Sequence, residues 1–389
     1  MRQVTAMIEY GTSKIVCLIA EVSQYQSYNL LGSSVVEYAG YRNKKWLDPS
    51  NVAKATLKAI SEAEKQAGRR IRSIHLGVPA QFTEVFCRKT RLDFGKSKRI
   101  SPEDIEALYK KGEEFSFSKE YSVIHRCPIY FSIDGNHRTM DPVNTQASGL
   151  SALVSYILAD RAFTGNIIRL LKDNGYEVAT LISASYAQAL TYIPSETRDR
   201  TAILIDVGHR TTAIMVVKGD GLLFHTTIPV GGYNITRDLM LTMGISEEMA
   251  DQLKKRSIYG LTLNQDDFYE VSERNNYKLF RFNALQVQDV IEARMTEWSD
   301  IIEYVLEDSG CKLPDYIGVW LTGGMASMRG IREFVQKQLG RSTALIVPKT
   351  TSLNKSCYSS ALSILDLAMQ AVQEENLGFW SNLKSLFLN

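Results

Sequence analysis

Residues 201–218 read TAILIDVGHRTTAIMVVK, and this stretch says more about the fold than any other. Two runs of apolar, β-branched residues, Ala202 to Ile205 and Ala213 to Val217, flank Asp206, Gly208 and a short polar turn. The pattern predicts a β-hairpin with buried strands, because Ile and Val suit a pleated surface packed on both faces. The turn carries the chemistry. Gly208 lets a ligand approach the backbone closely, and successive turn N–H groups can form a concavity for an anion. Asp206, at the strand end, can hold a hydrated metal ion beside a phosphate.

The pattern recurs near the N-terminus. AMIEYGTSKIVCLIAEV (6–22) gives an apolar run, Glu9, Gly11, the hydroxyls Thr12 and Ser13, then Lys14 and a second apolar run. Glu9 and Asp206 stand 197 residues apart in a chain of 389, so the sequence reads as a duplication whose halves each open with strand, acidic turn and strand. Facing one another across a cleft, two such hairpins would clamp a polyphosphate. One acid-x-Gly turn is a weak signal, since turns of this kind match easily by chance. Two in the same order are far more specific, and a third element joins them. In IGVWLTGGMASMRGIREFV (317–335) a strand ends in Thr322, Gly323 and Gly324 and a helix follows. Two glycines thus stand where a base or ribose can lie flat against the backbone.

Strand, acidic turn, strand; the same again; then strand, Gly-Gly and helix resembles the motif order of the actin, Hsp70 and sugar-kinase superfamily. Within it the chain is similar to the bacterial FtsA cell-division family over nearly its whole length. IEYGTSK (8–14) resembles the family's first phosphate motif and IDVGHRTT (205–212) its second. VGGYNIT (230–236) followed by Asp238 resembles its Gly-Gly-x-x-Ile-Thr-x-Asp segment, and ADQLK (250–254) its Ala-Glu-x-x-Lys helix. VIEARMTE (290–297) and LTGGMA (321–326) complete the series. The resemblance implies an α/β, actin-like (ribonuclease H-like) two-lobe fold with an inserted small α+β subdomain. It implies ATP and Mg2+ as ligands. The nucleotide-binding positions it implies are Glu9, Gly11, Thr12, Ser13, Lys14, Asp206, Gly208, Thr211, Thr212, Gly231, Gly232, Asp251, Lys254, Gly323, Gly324 and Met325, with Glu9 and Asp206 also at the metal.

The departures from the family pattern bear on mechanism. Glu9 stands where the family has Asp, and the longer acid moves a water-bridged Mg2+ by about one C–C bond. Gly208-His209-Arg210-Thr211 replaces a turn of the Gly-Gly-Gly-Thr type, which removes backbone freedom and adds a cation that either grips a phosphate or blocks it. The helix acid is Asp251, and NKSCYSSAL (354–362) takes the place of an Ala/Gly-rich connector. The expectation is ATP binding with weak or absent hydrolysis and no catalytic residue. Slow turnover suits a scaffold that uses nucleotide to set its conformation.

Expected boundaries are 1–80 for the first part of the first lobe, 81–159 for the insert, and 160–200 for the completion of that lobe and a connector. Residues 201–232 and 316–375 read as the second-lobe core, 233–315 as its helical subdomain, and 376–389 as a tail. A helix over 51–67 follows Asp48-Pro49-Ser50, with Val52, Ala55, Ala59, Ile60 and Ala63 on one face. Strands are expected at 30–36, 74–78 and 176–182, and helices at 163–174 and about 357–374. The small residues Ala184, Ala187 and Ala189 suit tight helix packing. The insert shows strands at 82–86 and 121–133 and a helix start at Ser101-Pro102-Glu103-Asp104. Its basic stretch RKTRLDFGKSKR (88–99) reads as a solvated hairpin, or as a face for an acidic neighbouring subunit or an anionic membrane. Residues 233–316 read as helical and polar, interrupted by YGLTLNQDDFYEVSERNNYKLFRF (259–282).

A net charge of +2 with 23% charged residues gives no sign of nucleic-acid binding. The five cysteines show no C-x-x-C pair and read as reduced thiols in a cytosolic protein. No signal segment is evident, and no apolar run approaches the ~18–20 residues needed to cross a bilayer. The tail differs. Phe379, Trp380, Leu383, Leu386 and Phe387 fall on one helical face, opposite Asn376, Ser381, Asn382, Lys384 and Ser385. So short a helix is marginal alone in water and needs a surface to fold onto. Burying those five side chains at ~1.5 kcal/mol each supports reversible interfacial attachment, and Lys384 adds about 1 kcal/mol at most. Many tails on one filament would act together. The rival reading docks the tail back onto its own domain.

The resemblance further implies the C-terminal peptide of FtsZ as a partner of residues 233–315, self-association into filaments, contact with other divisome proteins, and peripheral attachment to the cytoplasmic face of the cell membrane. Two other readings share the fold. A PilM-like pilus assembly protein would bind a short N-terminal peptide of a membrane partner. A small-molecule kinase or phosphatase would need a general base near the γ-phosphate, and no acid beyond Glu9 and Asp206 is evident there.

Overall fold

The computed structural model describes residues 4–22, 28–39, 41–42, 45–46, 48–113, 118–273 and 278–376. Phe379, Trp380, Leu383, Leu386 and Phe387 of the tail lie outside the described residues. Strands β1 (Val4–Tyr10), β2 (Lys14–Val22) and β3 (Tyr28–Glu37) form an antiparallel meander. The short pair β4 (Tyr41–Arg42) and β5 (Lys45–Trp46) follows, then α1 (Pro49–Ala67) and β6 (Ser73–Val78), which returns parallel to β1. Helix α1 starts where its sequence signal lies: the Asp48 carboxylate accepts from the N–H groups of Ser50 and Asn51, and Val52, Ala55, Ala59, Ile60 and Ala63 are buried.

Next comes the insert, with β7 (Thr83–Arg99), α2 (Pro102–Glu113), β8 (Tyr121–Ile133), β9 (His137–Thr139) and β10 (Gln146–Asp160). Its sheet runs β7-β10-β8-β9 over a core that includes Leu108, Tyr109, Phe131, Val154 and Tyr156. Residues 88–99 are not the expected hairpin. They continue β7 along β10, and residues 94–97 bulge out opposite the single residue Ser148. Gly95, at φ +68°, supplies the left-handed bend. Helices α3 (Arg161–Asp173), α4 (Ala184–Tyr192) and α5 (Ser195–Arg200) and strand β11 (Glu177–Ser183) complete this half.

The second half repeats the plan. Strands β12 (Ala202–Val207), β13 (Thr212–Lys218) and β14 (Gly221–Ile228) precede α6 (Gly232–Met243) and α7 (Glu247–Arg256). Strands β15 (Phe268–Ser272) and β16 (Leu279–Asn283) form a two-stranded sheet where the sequence shows only an interruption among helices. Helix α8 (Ala284–Asp308), β17 (Val319–Thr322), α9 (Ile331–Leu339), β18 (Thr343–Leu345) and α10 (Ser359–Asn376) follow. After Gly323 the chain makes a short 3-10 turn before α9, so the helix begins later than the Gly-Gly pair suggests.

The duplication is visible in topology. One sheet runs β3-β2-β1-β6-β11 and the other β14-β13-β12-β17-β18, the same order with β6 parallel to β1 and β17 parallel to β12. Their first strands share a burial pattern: Ala6, Met7 and Ile8 precede half-exposed Glu9, and Ile203, Leu204 and Ile205 precede half-exposed Asp206. Each of the fully buried Met, Ile and Leu side chains among them contributes about 1.5–3 kcal/mol. The acid sits where the strand emerges, because an ionised carboxylate is costly to bury.

The chain forms two compact units. One holds the chain up to Ala202, Met215–Thr226 and the chain from Ser360 on; the other holds Ile203–Ile214 and Thr227–Ser359. Among the described residues no helix is long and apolar enough to cross a membrane. None of the five cysteines, all of them among the described residues, is in a disulfide.

Candidate functional site

The two acidic turns close in the same way. The Gly11 N–H donates to the Lys14 carbonyl at 2.9 Å, and the Gly208 N–H donates to the Thr211 carbonyl at 2.9 Å. Each glycine's amide is therefore spent inside its turn and is not offered to an anion, as the sequence pattern suggests it would be. In the first unit Thr12 is buried, the Ser13 carbonyl accepts from the Tyr38 N–H at 2.9 Å, and the Tyr38 hydroxyl donates to the Gly11 carbonyl. The Trp46 indole N–H donates in turn to the Tyr38 hydroxyl at 3.1 Å. Tyr10, next to Glu9, packs edge-on against Phe163, which stacks on Phe82 with ring centroids 4.3 Å apart. The hairpin carrying Glu9, Gly11, Thr12, Ser13 and Lys14 thus rests on an aromatic floor. Sequence reasoning misses Tyr38, which lies 27 residues from Gly11 with no motif around it.

In the second unit the candidate residues gather around the start of α6. The N–H groups of Gly232 and Tyr233 donate to the carbonyls of Gly208 and His209 at 3.0 and 2.7 Å. The Asn234 N–H donates to the Gly231 carbonyl, and the Asn234 side chain accepts from the Gly231 N–H, both at 3.0 Å. Gly231 is required by this close approach. A Cβ there would lie 2.7 Å from the His209 oxygen and 2.8 Å from the Gly208 oxygen, well inside contact distance.

Gly323 has a second reason to be glycine. Its φ is +92°, and a Cβ would lie 2.3 Å from Asp206 Oδ1 and 2.4 Å from the Val207 oxygen. The Asp206 carboxylate therefore lies against the bare backbone at the end of β17, whose Thr322 is the register partner of Asp206. Met325 is buried behind Gly232, and Gly324 faces Cys357.

The Lys254 ammonium is held by three acceptors: the Gly232 carbonyl at 3.3 Å, Thr236 Oγ1 at 2.6 Å and Asp251 Oδ1 at 2.8 Å. Asp251 also pairs with Lys255. Burial works against the charged carboxyl, but hydrogen bonds from Lys254 and Lys255 outweigh it and hold Asp251 below the usual carboxylate range. Lys254 thereby ties α7 to α6. Thr212 faces inward: its hydroxyl donates to the Val230 carbonyl at 2.7 Å and accepts from the Trp298 indole at 3.0 Å. It is the most deeply buried of the candidate hydroxyls, so its contacts are with protein.

The two residues that replace turn glycines both meet Tyr233. The Arg210 guanidinium lies over the Tyr233 ring at 4.0 Å, and the His209 ring lies 5.2 Å from it. Burial, then the neighbouring Arg210 and Lys254, push His209 down to about 4, so it is neutral at pH 7. Tyr233 lies within the VGGYNIT motif yet is absent from the expected site residues; the Gly-Gly pair draws attention away from it.

Mg2+ takes one or two carboxylates together with phosphate and water. The first unit offers Glu9 and the second Asp206, and among the described residues no three His, Cys, Asp or Glu side chains gather into a cage. Each acid by itself suits a Mg2+ that arrives on a phosphate.

A further cavity of about 690 Å3 lies in the first unit, lined by Ser122, Val123, Ile168, Lys172, Val178 and Thr180 among others. Strand β11 is outermost in its sheet, and β9 pairs only with Phe131–Ile133 of β8. The cavity is therefore flanked by strand segments with an edge that no strand occupies among the described residues. His125 joins the two elements, accepting at Nε2 from the Ser183 N–H at 3.0 Å.

The repeated five-stranded sheet with an acidic turn in each copy defines the actin-like class. Solved structures agree. The PilM-PilN type IV pilus biogenesis complex is similar with a TM-score of 0.61 and 16% identity, covering 96% of this chain and 99% of that one. MreB 5 of Spiroplasma citri bound to AMPPNP gives 0.58 and 10%, covering 97% and 98%. The family profile described as "Cell division protein FtsA" matches residues 203–363, and that described as "SHS2 domain inserted in FTSA" matches residues 83–158. Cell division protein FtsA of Bacillus subtilis (strain 168) is 24% identical over 378 residues, 96% of this chain and 85% of that protein. Its namesake in Escherichia coli (strain K12) is 24% identical over 382 residues, 94% of this chain and 90% of that protein. The chain belongs to the FtsA cell-division family and is a divergent member of it.

Proposed function

We propose that this chain is a cell-division adaptor that binds ATP, assembles into filaments, and tethers FtsZ to the cytoplasmic face of the membrane through its C-terminal amphipathic segment. The observation that carries the reading is an insert at 83–158 that interrupts the first of two acid-turn sheets, between β6 and β11, at residues matched by the family's own insert profile. In this reading each unit presents its own acid, Glu9 or Asp206, to phosphate, and Gly323, Gly324 and Met325 of the second unit offer a surface to the base and ribose. The nucleotide sets conformation and assembly and is turned over slowly or not at all, as suits a scaffold.

The second unit supplies the FtsZ surface. Gln252 and Arg256 of α7 hydrogen-bond the β15 backbone at Ser272 and Glu270, fixing the β15–β16 hairpin. That hairpin exposes Phe268 and Leu279, and Lys255 on α7 is exposed as well. Apolar residues with a cation on the adjoining helix suit a peptide that is both apolar and acidic. Fluorescence anisotropy of a labelled FtsZ C-terminal peptide tests this. Leu279→Glu is expected to weaken binding about tenfold, or 1.4 kcal/mol; unchanged affinity would move the surface elsewhere.

A second reading is favoured by the β8–β11 cavity. An extended peptide can add to an open strand edge through main-chain hydrogen bonds, as a PilM-like protein would require for the N-terminal peptide of a membrane partner. Protection of β11 amides from hydrogen exchange by such a peptide, and not by the FtsZ peptide, would favour it.

A further inference from the structure

We propose that Tyr38 is a positioning residue for polyphosphate, holding the first acidic turn in its ligand-ready shape before any nucleotide arrives. This rests on the nucleotide reading above and concerns how the first unit prepares its turn.

A turn built on Gly11 has little stiffness of its own, because glycine leaves the backbone free to take several conformations. The direction of its carbonyls matters to an anion: an oxygen turned toward a phosphate repels it. Two of those carbonyls are drawn to one residue. The Tyr38 hydroxyl donates to the Gly11 carbonyl, and the Tyr38 N–H donates to the Ser13 carbonyl at 2.9 Å. Tyr38 is only 7% exposed, whereas Gly11 and Ser13 keep part of their surface in solvent. Both oxygens are therefore tied back to a buried side chain, on the side from which no phosphate can approach.

The hydroxyl is itself held in place. It accepts from the Trp46 indole N–H at 3.1 Å, and the Trp46 ring lies 5.8 Å from that of Tyr10 and 5.5 Å from that of Phe163. Accepting one hydrogen bond strengthens the one it donates. Burial pushes the Tyr38 hydroxyl up from its ordinary range, so it stays protonated and remains a donor.

The second copy of the turn ties back the same atom. Gly11 and Gly208 each close on the residue three further on, and the Gly208 carbonyl accepts from the Gly232 N–H at 3.0 Å. There the donor is backbone at the start of α6, which no side-chain replacement removes. In the first copy the donor is a side chain 27 residues away. The same glycine carbonyl is thus fixed in both halves by unrelated donors, which sets the contact apart from incidental packing. Tyr38→Phe deletes this one donor and keeps the ring and the N–H on Ser13.

The test is displacement of a fluorescent ATP analogue from the full chain by ATP and by adenosine, for the parent, Tyr38→Phe and Trp46→Phe, each checked for folding by circular dichroism. Tyr38→Phe is expected to weaken ATP about tenfold and adenosine less than about threefold, so that the preference for the phosphates shrinks. Trp46→Phe, which keeps the Tyr38 hydroxyl on Gly11, should stay within about threefold of the parent for both ligands. A loss shared equally by ATP and adenosine, an equal loss in Trp46→Phe, or ATP binding by Tyr38→Phe like that of the parent would overturn the inference and leave the nucleotide reading standing. Failure of the parent to bind the analogue would overturn both. Hydrogen exchange of the parent gives a check that needs no variant. The Gly11 and Tyr38 amides should be protected without nucleotide and gain less than about threefold from ATP; protection that appears only with ATP would show a turn shaped by its ligand and would overturn the inference.

Discussion

Replacing Gly323 by alanine should damage the second unit far more than replacing its neighbour Gly324. At Gly323, φ +92° and ψ 179° lie in a region that only glycine occupies freely, and the added methyl would sit 2.3 Å from Asp206 Oδ1 and 2.4 Å from the Val207 oxygen. Backbone strain and displacement of the carboxylate together cost about 3 kcal/mol. At Gly324 the nearest atom to such a methyl is Cys357 Cβ at 4.0 Å, an ordinary contact. For a unit of this size 1 kcal/mol moves Tm by about 2–4 °C, so Gly323→Ala should lower the unit's transition by roughly 6–12 °C and Gly324→Ala by about 1 °C. Calorimetry of the full chain reads both. ATP should raise the parent transition and not that of Gly323→Ala, because the displaced carboxylate is Asp206. Equal melting of the two variants would refute the close packing of Asp206 on Gly323.

Acid should weaken the first unit through its buried histidines. Burial pushes His125 down to about 3 and His75 to about 4 from an ordinary value of 6.5. Above pH 7 both states are neutral and nothing is lost; below 6.5 the unfolded chain takes a proton that the folded one refuses. Each such histidine then costs about 1.4 kcal/mol per pH unit, or about 2 kcal/mol between pH 7 and pH 5. His125→Gln should flatten the urea-midpoint slope over that range by one histidine's share, and an unchanged slope would count against it. Thr201, a β-branched residue at φ 98°, holds a conformation that costs about 1–3 kcal/mol in a non-glycine residue. Thr201→Gly should therefore raise Tm by about 2–4 °C, and a fall in Tm would show the backbone there to be unstrained.

The repeat was the most legible feature of the sequence, because buried Ile-rich runs broken by Glu9 and Asp206 leave a period-independent mark that survives 197 residues of separation. Helix α1 was legible through Asp48 and a clean apolar face. The β15–β16 pair was not, because FYEVS and LFRFN are short, alternate weakly and sit among helices. The sequence signals only the first part of strand β7, because its outer half is exposed and basic, while in the fold β10 holds it on both sides of the bulge at residues 94–97. Within the site, glycines announced where backbones approach, but not what approached them. That Gly231 accommodates the His209 carbonyl, and Gly323 the Asp206 carboxylate, depends on tertiary contacts across the unit. The inward turn of Thr212 toward Trp298, 86 residues away, left no local trace.

Sedimentation with anionic liposomes tests the adaptor reading most directly. FtsZ would be mixed with the full chain, or with the chain ending at Asn376, with and without ATP and Mg2+. The account predicts that full-length protein carries FtsZ into the pellet, that the truncated form binds FtsZ but stays in solution with it, and that ATP strengthens pelleting through filament avidity. Equal pelleting by the two forms, or FtsZ left in solution by the full chain, would contradict it.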